Sequence, residues 1–141
     1  MSRVQLALNV SNVDAAVAFY SKLFGTEPAK IRPGYANFAI AEPALKLVLI
    51  ENAEKAGTLN HLGVEIETSD EVAIALERLN QSGLDTKLEE NVDCCYALQD
   101  KGWVEDPDGA PWEIYTVLAD SDIHHPSPRL NQKAARDSQC C

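Results

Sequence analysis

The sequence predicts an α+β fold made of two tandem βαβββ modules whose strands form an open, cup-shaped sheet. Three observations predict it. A strand, a capped helix and then about three short strands occur twice along the chain, at a period of about 56 residues. Both helical stretches start at a polar capping residue and stop at a glycine. The 141 residues, 45% of them hydrophobic, suffice for one domain with a buried core.

Arg3 to Val10, RVQLALNV, alternates imperfectly and reads as the opening strand. Ser11 is the expected N-cap, with Asp14 three residues on. Val13, Ala16, Val17 and Tyr20 recur at helical spacing, Leu23 and Phe24 extend the stripe, and Gly25 ends it. Pro33 and Gly34 mark a turn. Tyr35–Ile40 and Leu45–Ile50 read as strands around the Pro43 break. The polar stretch Glu51–Thr58 is expected to be a linker, after which the order repeats. Leu59–Glu67 is laid over the first strand. Thr68 caps, with Glu71 in the capping-box position. Val72, Ala75, Leu76 and Leu79 form the second stripe, which Gly83 closes. Strands are expected near Thr86–Glu90, Tyr96–Glu105 and Trp112–Val117. Asp106-Pro107-Asp108-Gly109 supplies turn chemistry between the last two. The expected organisation is a single domain over residues 1–118, with modules at about 3–51 and 58–118. Residues 119–141 are Ser-, Asp-, Pro- and Gln-rich and are expected to form a flexible tail.

Acidic residues outnumber basic ones 22 to 12, a formal charge of −10. Nucleic acid and anionic membrane surfaces require a positive field, so both are excluded as expected partners. No apolar run approaches the roughly 20 residues of a membrane span, and the N-terminus lacks a signal-peptide pattern, so a cytoplasmic location is expected. A monomer and a homodimer are both compatible with the sequence.

Glu113 is the only ionisable group in the strand Trp112–Val117. A carboxylate there must be paired, turned to solvent or bound to a cation, because an isolated buried charge is too costly. An outward-facing Glu on a half-exposed sheet is the plain alternative. His61 is the one histidine ahead of the tail, which holds His124 and His125; a satisfied structural histidine is its plain alternative. Aligning the modules puts Gln5 opposite His61. Separations of about 56 residues from Gln5 to His61, and about 52 from His61 to Glu113, place all three in equivalent or closing strands. If the halves pair about a pseudo-two-fold, the three side chains point into the cup. An imidazole nitrogen, a carboxylate and an amide oxygen suit Fe(II), Mn(II) or Zn(II) and leave positions open.

The four cysteines form two adjacent pairs, Cys94-Cys95 and Cys140-Cys141. Neighbouring Cα atoms lie about 3.8 Å apart, short of the usual disulfide span of roughly 4.4–6.8 Å, so neither pair reads as a structural bridge. Paired thiols in a reducing compartment suggest capture of a soft metal or metalloid, or redox chemistry. Consecutive side chains on a straight strand point to opposite faces, so convergence on one atom needs a bend, expected at Asn91-Val92-Asp93.

The duplicated module with DPDGAPWE resembles the vicinal oxygen chelate superfamily, which includes glyoxalase I, bleomycin and fosfomycin resistance proteins and extradiol dioxygenases. PGYANFAIAEPALKLVLIE, LNHLGVE and CCYALQDKGWVEDPDGAPWEIYTV are together similar to its organoarsenical carbon–arsenic lyase branch, which has relatives known as cadmium-induced proteins. The resemblance covers about residues 3 to 118. It implies that Gln5, His61 and Glu113 hold a non-haem Fe(II) as the catalytic centre. It further implies that Cys94 and Cys95 bind the arsenic of a trivalent methyl- or aryl-arsenical, that dioxygen is the co-substrate and that inorganic arsenite is released. Cys140 and Cys141 would be accessory thiols. Glyoxalases carry a fourth ligand near the end of the first module; here Leu45-Lys46-Leu47-Val48 offers no carboxylate or imidazole. Tyr96, Trp103 and Tyr115 either line a pocket for an aryl group or belong to the core. The rival reading is a non-catalytic protein that sequesters cadmium or arsenite with the same cup and thiols.

Overall fold

The computed structural model describes residues 2–94 and 96–120. Contacts divide it into two compact units, one of Arg3–Asn60 and the other of Ser2 with the chain from His61 onward. Each has the βαβββ order the repeat predicts. The fold is α+β, and no helix among the described residues is long and apolar enough to cross a membrane.

In the first unit, strand β1 (Arg3–Val10) leads to helix α1 (Val13–Phe24), then β2 (Lys30–Arg32), β3 (Tyr35–Ile40) and β4 (Leu45–Glu51). The strand order is β2-β3-β4-β1, with β1 and β4 parallel and the other neighbours antiparallel. Asn12, and not Ser11, caps α1. Its backbone is extended (φ −150, ψ 118) and its side chain accepts from the Ala15 amide at 2.8 Å. The Val13 amide goes instead to the Glu51 carboxylate at the end of β4, 2.9 Å away. The cap therefore falls one residue later than expected, and Asp14 lies in the first turn, where its charge complements the helix dipole. Gly25 closes the helix in the left-handed region at φ 64. One sheet face packs Ala36, Phe38, Ile40, Leu47 and Leu49 with Val13, Ala16, Val17, Tyr20 and Phe24 of α1. Leu23 falls off that stripe and is exposed. The strand β2 escaped the sequence reading because three residues are too few to show alternation. The expected linker holds a 3-10 turn, Ala53–Lys55, capped by Asn52.

The second unit holds β5 (Leu59–Glu65, which begins just before the division), α2 (Ser69–Gln81), β6 (Lys87–Cys94), β7 (Ala97–Glu105) and β8 (Pro111–Asp120). Their order is β5-β8-β7-β6, with β5 and β8 parallel and the rest antiparallel. Thr68 and Glu71 form the predicted reciprocal capping box of α2. Strands β6 and β8 outrun their expected ends, β6 because a bulge between Glu89 and Val92 interrupts the alternation that sequence reading follows. Helix α2 lies so close to β7 that a Cβ on Gly102 would sit 2.8 Å from Leu76 Cγ and nearer still to its two methyls. Gly102→Ala is therefore expected to destabilise by about 1–3 kcal/mol through overpacking; a urea melt with an unchanged midpoint would refute that packing.

Candidate metal centre

The face of the second sheet turned away from α2 carries polar side chains that are nonetheless buried. Glu113 stands opposite Trp103 on β7, and Lys101 opposite both Tyr115 on β8 and Glu89 on β6. Gly63 of β5 stands opposite Glu113, and His61, two residues earlier, shares that face. His61, Lys101 and Glu113 are each 0% exposed, the reverse of the usual apolar-in, polar-out alternation.

His61 Nε2 lies 3.8 Å from Glu113 Oε2, and Lys101 Nζ is 3.2 Å from the same oxygen. The Trp103 ring meets His61 edge-on, with centroids 5.6 Å apart, and lies 5.5 Å from the Lys101 ammonium. The Trp103 indole donates to Glu89 Oε1 at 3.1 Å. Trp103 and Tyr115 are fully buried, so both serve the core, while Trp103 also fixes the plane against which His61 rests.

The His61–Glu113 pair suits a small cation. Two N/O donors each about 2.1 Å from one ion lie no more than about 4.2 Å apart, and the observed separation falls inside that limit. A borderline nitrogen and a hard oxygen suit first-row divalent metals. Among the described residues no three His, Cys, Asp or Glu side chains cluster well enough to hold a metal.

Sequence reasoning missed Lys101. In ALQDKGWVE it reads as a solvent-facing charge, and the one available signal was its two-residue spacing from Gln99 and Trp103. Its ammonium compensates the Glu113 charge at a place where no water reaches either group. Lys101→Met is expected to lower metal-free stability by about 3–5 kcal/mol, by leaving a buried carboxylate without its cation. Mn(II) should then raise the melting midpoint more in the variant than in the unmutated protein; an equal rise in both would refute this role.

Gln5 belongs to the first unit and is also 0% exposed. It is the third residue of β1, as His61 is of β5. Ala7 stands opposite Val48 on the parallel partner strand, as Gly63 stands opposite Glu113. Val48 thus occupies the position in the first module that Glu113 holds in the second, and it is fully buried.

Cys94 is the last residue of β6 and stands opposite Ala97, and Tyr96 lies in the left-handed region at φ 65. The expected bend lies at Asn91, which is also left-handed at φ 53. Cys95, Cys140 and Cys141 lie outside the described residues.

The sequence profile of the glyoxalase/bleomycin resistance protein/dioxygenase superfamily matches residues 3–114. The chain belongs to that superfamily. Within it, the chain is 58% identical over 142 aligned residues to the trivalent organoarsenical cleaving enzyme of Thermomonospora curvata, covering 100% of this chain and 89% of that protein. It is 56% identical to the cadmium-induced protein CadI of Mycobacterium bovis, covering 100% and 93%. Among solved structures, an extradiol ring-cleaving dioxygenase from Brevibacterium fuscum superposes with a TM-score of 0.62 at 20% identity, covering 85% of this chain and 34% of that one. A Mn(II)-bound glyoxalase from Novosphingobium aromaticivorans gives 0.59 at 19%, covering 90% and 44%. These two likenesses show the superfamily fold.

Proposed function

We propose that the chain is a non-haem iron(II)- and dioxygen-dependent carbon–arsenic lyase, acting on trivalent methyl- or aryl-arsenicals and releasing inorganic arsenite. The observation that carries this reading is the buried His61–Glu113 pair, 3.8 Å apart on neighbouring strands. A chain that only sequesters a thiophilic ion has no need of a buried imidazole and carboxylate. The 58% identity to an enzyme that cleaves trivalent organoarsenicals supports the same reading.

Gln5 supplies the third ligand, which its burial and its match to His61 in the duplicated module support. Bound iron(II) would supply the open positions at which dioxygen is activated for oxidative cleavage. His61, Glu113 and Gln5 act as ligands, and Lys101 holds Glu113 in place when the metal is absent. Trp103, fully buried with its ring edge-on to His61, helps keep water from the imidazole. The thiolates of Cys94 and Cys95 replace hydroxides on the soft arsenic and so fix where its organic group points. Residues 1–118 act as one domain, with Cys140 and Cys141 as accessory capture thiols on the tail and the cytoplasm as the working compartment.

The cadmium-induced relative at 56% identity favours a second reading, in which cadmium or arsenite is sequestered without turnover. One experiment separates the two. The protein is loaded anaerobically with Fe(II), then given air and methylarsenite, and the arsenic species are resolved. Inorganic arsenite is expected only when iron and oxygen are both present. Stoichiometric arsenic binding with no product would establish sequestration instead.

A further inference from the structure

Asp100 sits on β7 between Gln99 and Lys101, on the side of the sheet that faces α2. Its Oδ1 accepts from the Asn91 amide at 2.7 Å, and its Oδ2 from the hydroxyl of Ser69, the first residue of α2, at 2.5 Å. Opposite Asp100 the partner strand β6 spends two residues, Glu90 and Asn91. Pairing passes from Glu89 opposite Lys101 to Val92 opposite Gln99 and then Cys94 opposite Ala97. A straight ladder continued from Glu89 would instead set Asn91 opposite Gln99 and Asp93 opposite Ala97.

Directly opposed residues of an antiparallel pair share a face, and a slip of one residue exchanges the faces of everything beyond it. Ala97, Gln99, Lys101 and Trp103 alternate along the face that carries Glu113, and all four are buried. The bulge therefore puts backbone position 94, and not 93, in phase with Glu113. Such a bulge is unfavourable by itself, because Asn91 must adopt φ 53 and its amide leaves the ladder. The Asp100 carboxylate offsets both, with a charge-assisted bond to that amide and a second one to the start of α2.

We propose that Asp100 is a positioning residue for the thiol pair, holding the β6 bulge that brings position 94 into phase with the Glu113 face. The inference rests on the thiol-capture reading above and makes Asp100 a residue that acts through backbone register rather than by touching the arsenical.

The test uses full-length protein, with phenylarsine oxide as the probe, and reads two quantities: its affinity in the Mn(II)-loaded protein, and the cross-strand NMR contact between residues 94 and 97 in the metal-free protein, where no paramagnetic ion broadens the signals. Asp100→Ala is expected to lose that contact and to weaken phenylarsine oxide binding about tenfold or more, since two thiols no longer act together. Mn(II) binding should be unchanged. Adding Asn91→Gly, which removes the cost of the left-handed residue, should restore both quantities. Deleting Asn91 removes the extra residue, so a straight ladder should still set position 94 opposite Ala97; in that deletion variant Asp100→Ala should change neither quantity, and a loss of either there would overturn the proposal. An Asp100→Ala protein that keeps the 94–97 contact, or loses it yet binds the probe normally, would overturn the proposal. Unmutated protein that shows the contact but fails to bind the probe would overturn the thiol-capture reading instead, and the register measured in Asp100→Ala would still decide whether Asp100 holds the bulge.

Discussion

Glu113→Ala is expected to lose bound metal and a large part of its stability together. The first loss follows from removing the carboxylate that lies 3.8 Å from His61 Nε2. The second follows from Lys101, whose ammonium is 3.2 Å from Glu113 Oε2 and fully buried. Removing one partner of a buried pair leaves an uncompensated charge and costs about 3–5 kcal/mol. For a domain of this size that lowers the melting midpoint by roughly 10 °C or more. The double variant Glu113→Leu with Lys101→Met removes both charges, so it should regain most of the stability while still failing to bind metal. Thermal melts of the two single variants and the double one close the cycle, with metal content measured on each. A Glu113→Ala protein that melts at the original temperature would show that the pair contributes nothing. A double variant that still binds metal would remove Glu113 from the ligand set. Arsenical binding should survive in every variant, because the proposed capture by thiolates does not use the Glu113 carboxylate or the Lys101 ammonium.

Cys94→Ser and Cys95→Ser should each abolish carbon–arsenic cleavage while leaving metal content untouched. A hydroxyl is a hard, weakly acidic donor and does not replace a thiolate on soft trivalent arsenic. With one thiolate left, the substrate is tethered at a single point and its organic group is no longer directed. Losing that orientation should lower the rate by a factor on the order of 100 or more. Metal analysis beside a turnover assay checks the separation of roles. Loss of iron in either serine variant would show that the thiols belong to the metal centre itself.

The proximity of His61 and Glu113 was legible where chemistry and repetition coincide. His61 and Glu113 stood out as isolated ionisable groups in apolar strands, and the duplicated module pointed to Gln5 through its match with His61. The resemblance to glyoxalases pointed to Leu45-Lys46-Leu47-Val48 as a stretch without a fourth ligand, and the register singles out Val48 as its counterpart of Glu113. Lys101 was not legible, because a lysine in an alternating strand has the same local pattern whether it faces water or a buried carboxylate; only the register of β7 against β8 tells them apart. Asp100 was hidden for a related reason. Its role depends on an extra residue in the neighbouring strand, and a bulge disrupts the very period from which strands are read. The N-cap at Asn12 was missed by one position, since Ser11 and Asn12 are both good caps and the choice is made by Glu51 on a distant strand.

The connection between β7 and β8 bears on how the centre assembles in time. Asp106 Oδ1 accepts from the amides of Asp108 and Ala110, each at 2.9 Å, so one side chain ties the turn from within. Lys101 and Glu113 are 12 residues apart along the chain and close on each other once this hairpin zips. His61 reaches Glu113 only through the parallel pairing of β5 with β8, across α2, β6 and β7. Closing that longer loop costs roughly 1 kcal/mol more in chain entropy than closing the hairpin. Loop entropy therefore favours closing the ammonium onto its carboxylate over docking the imidazole-bearing strand, and hydrogen exchange during refolding is expected to protect the β7–β8 amides before those of β5.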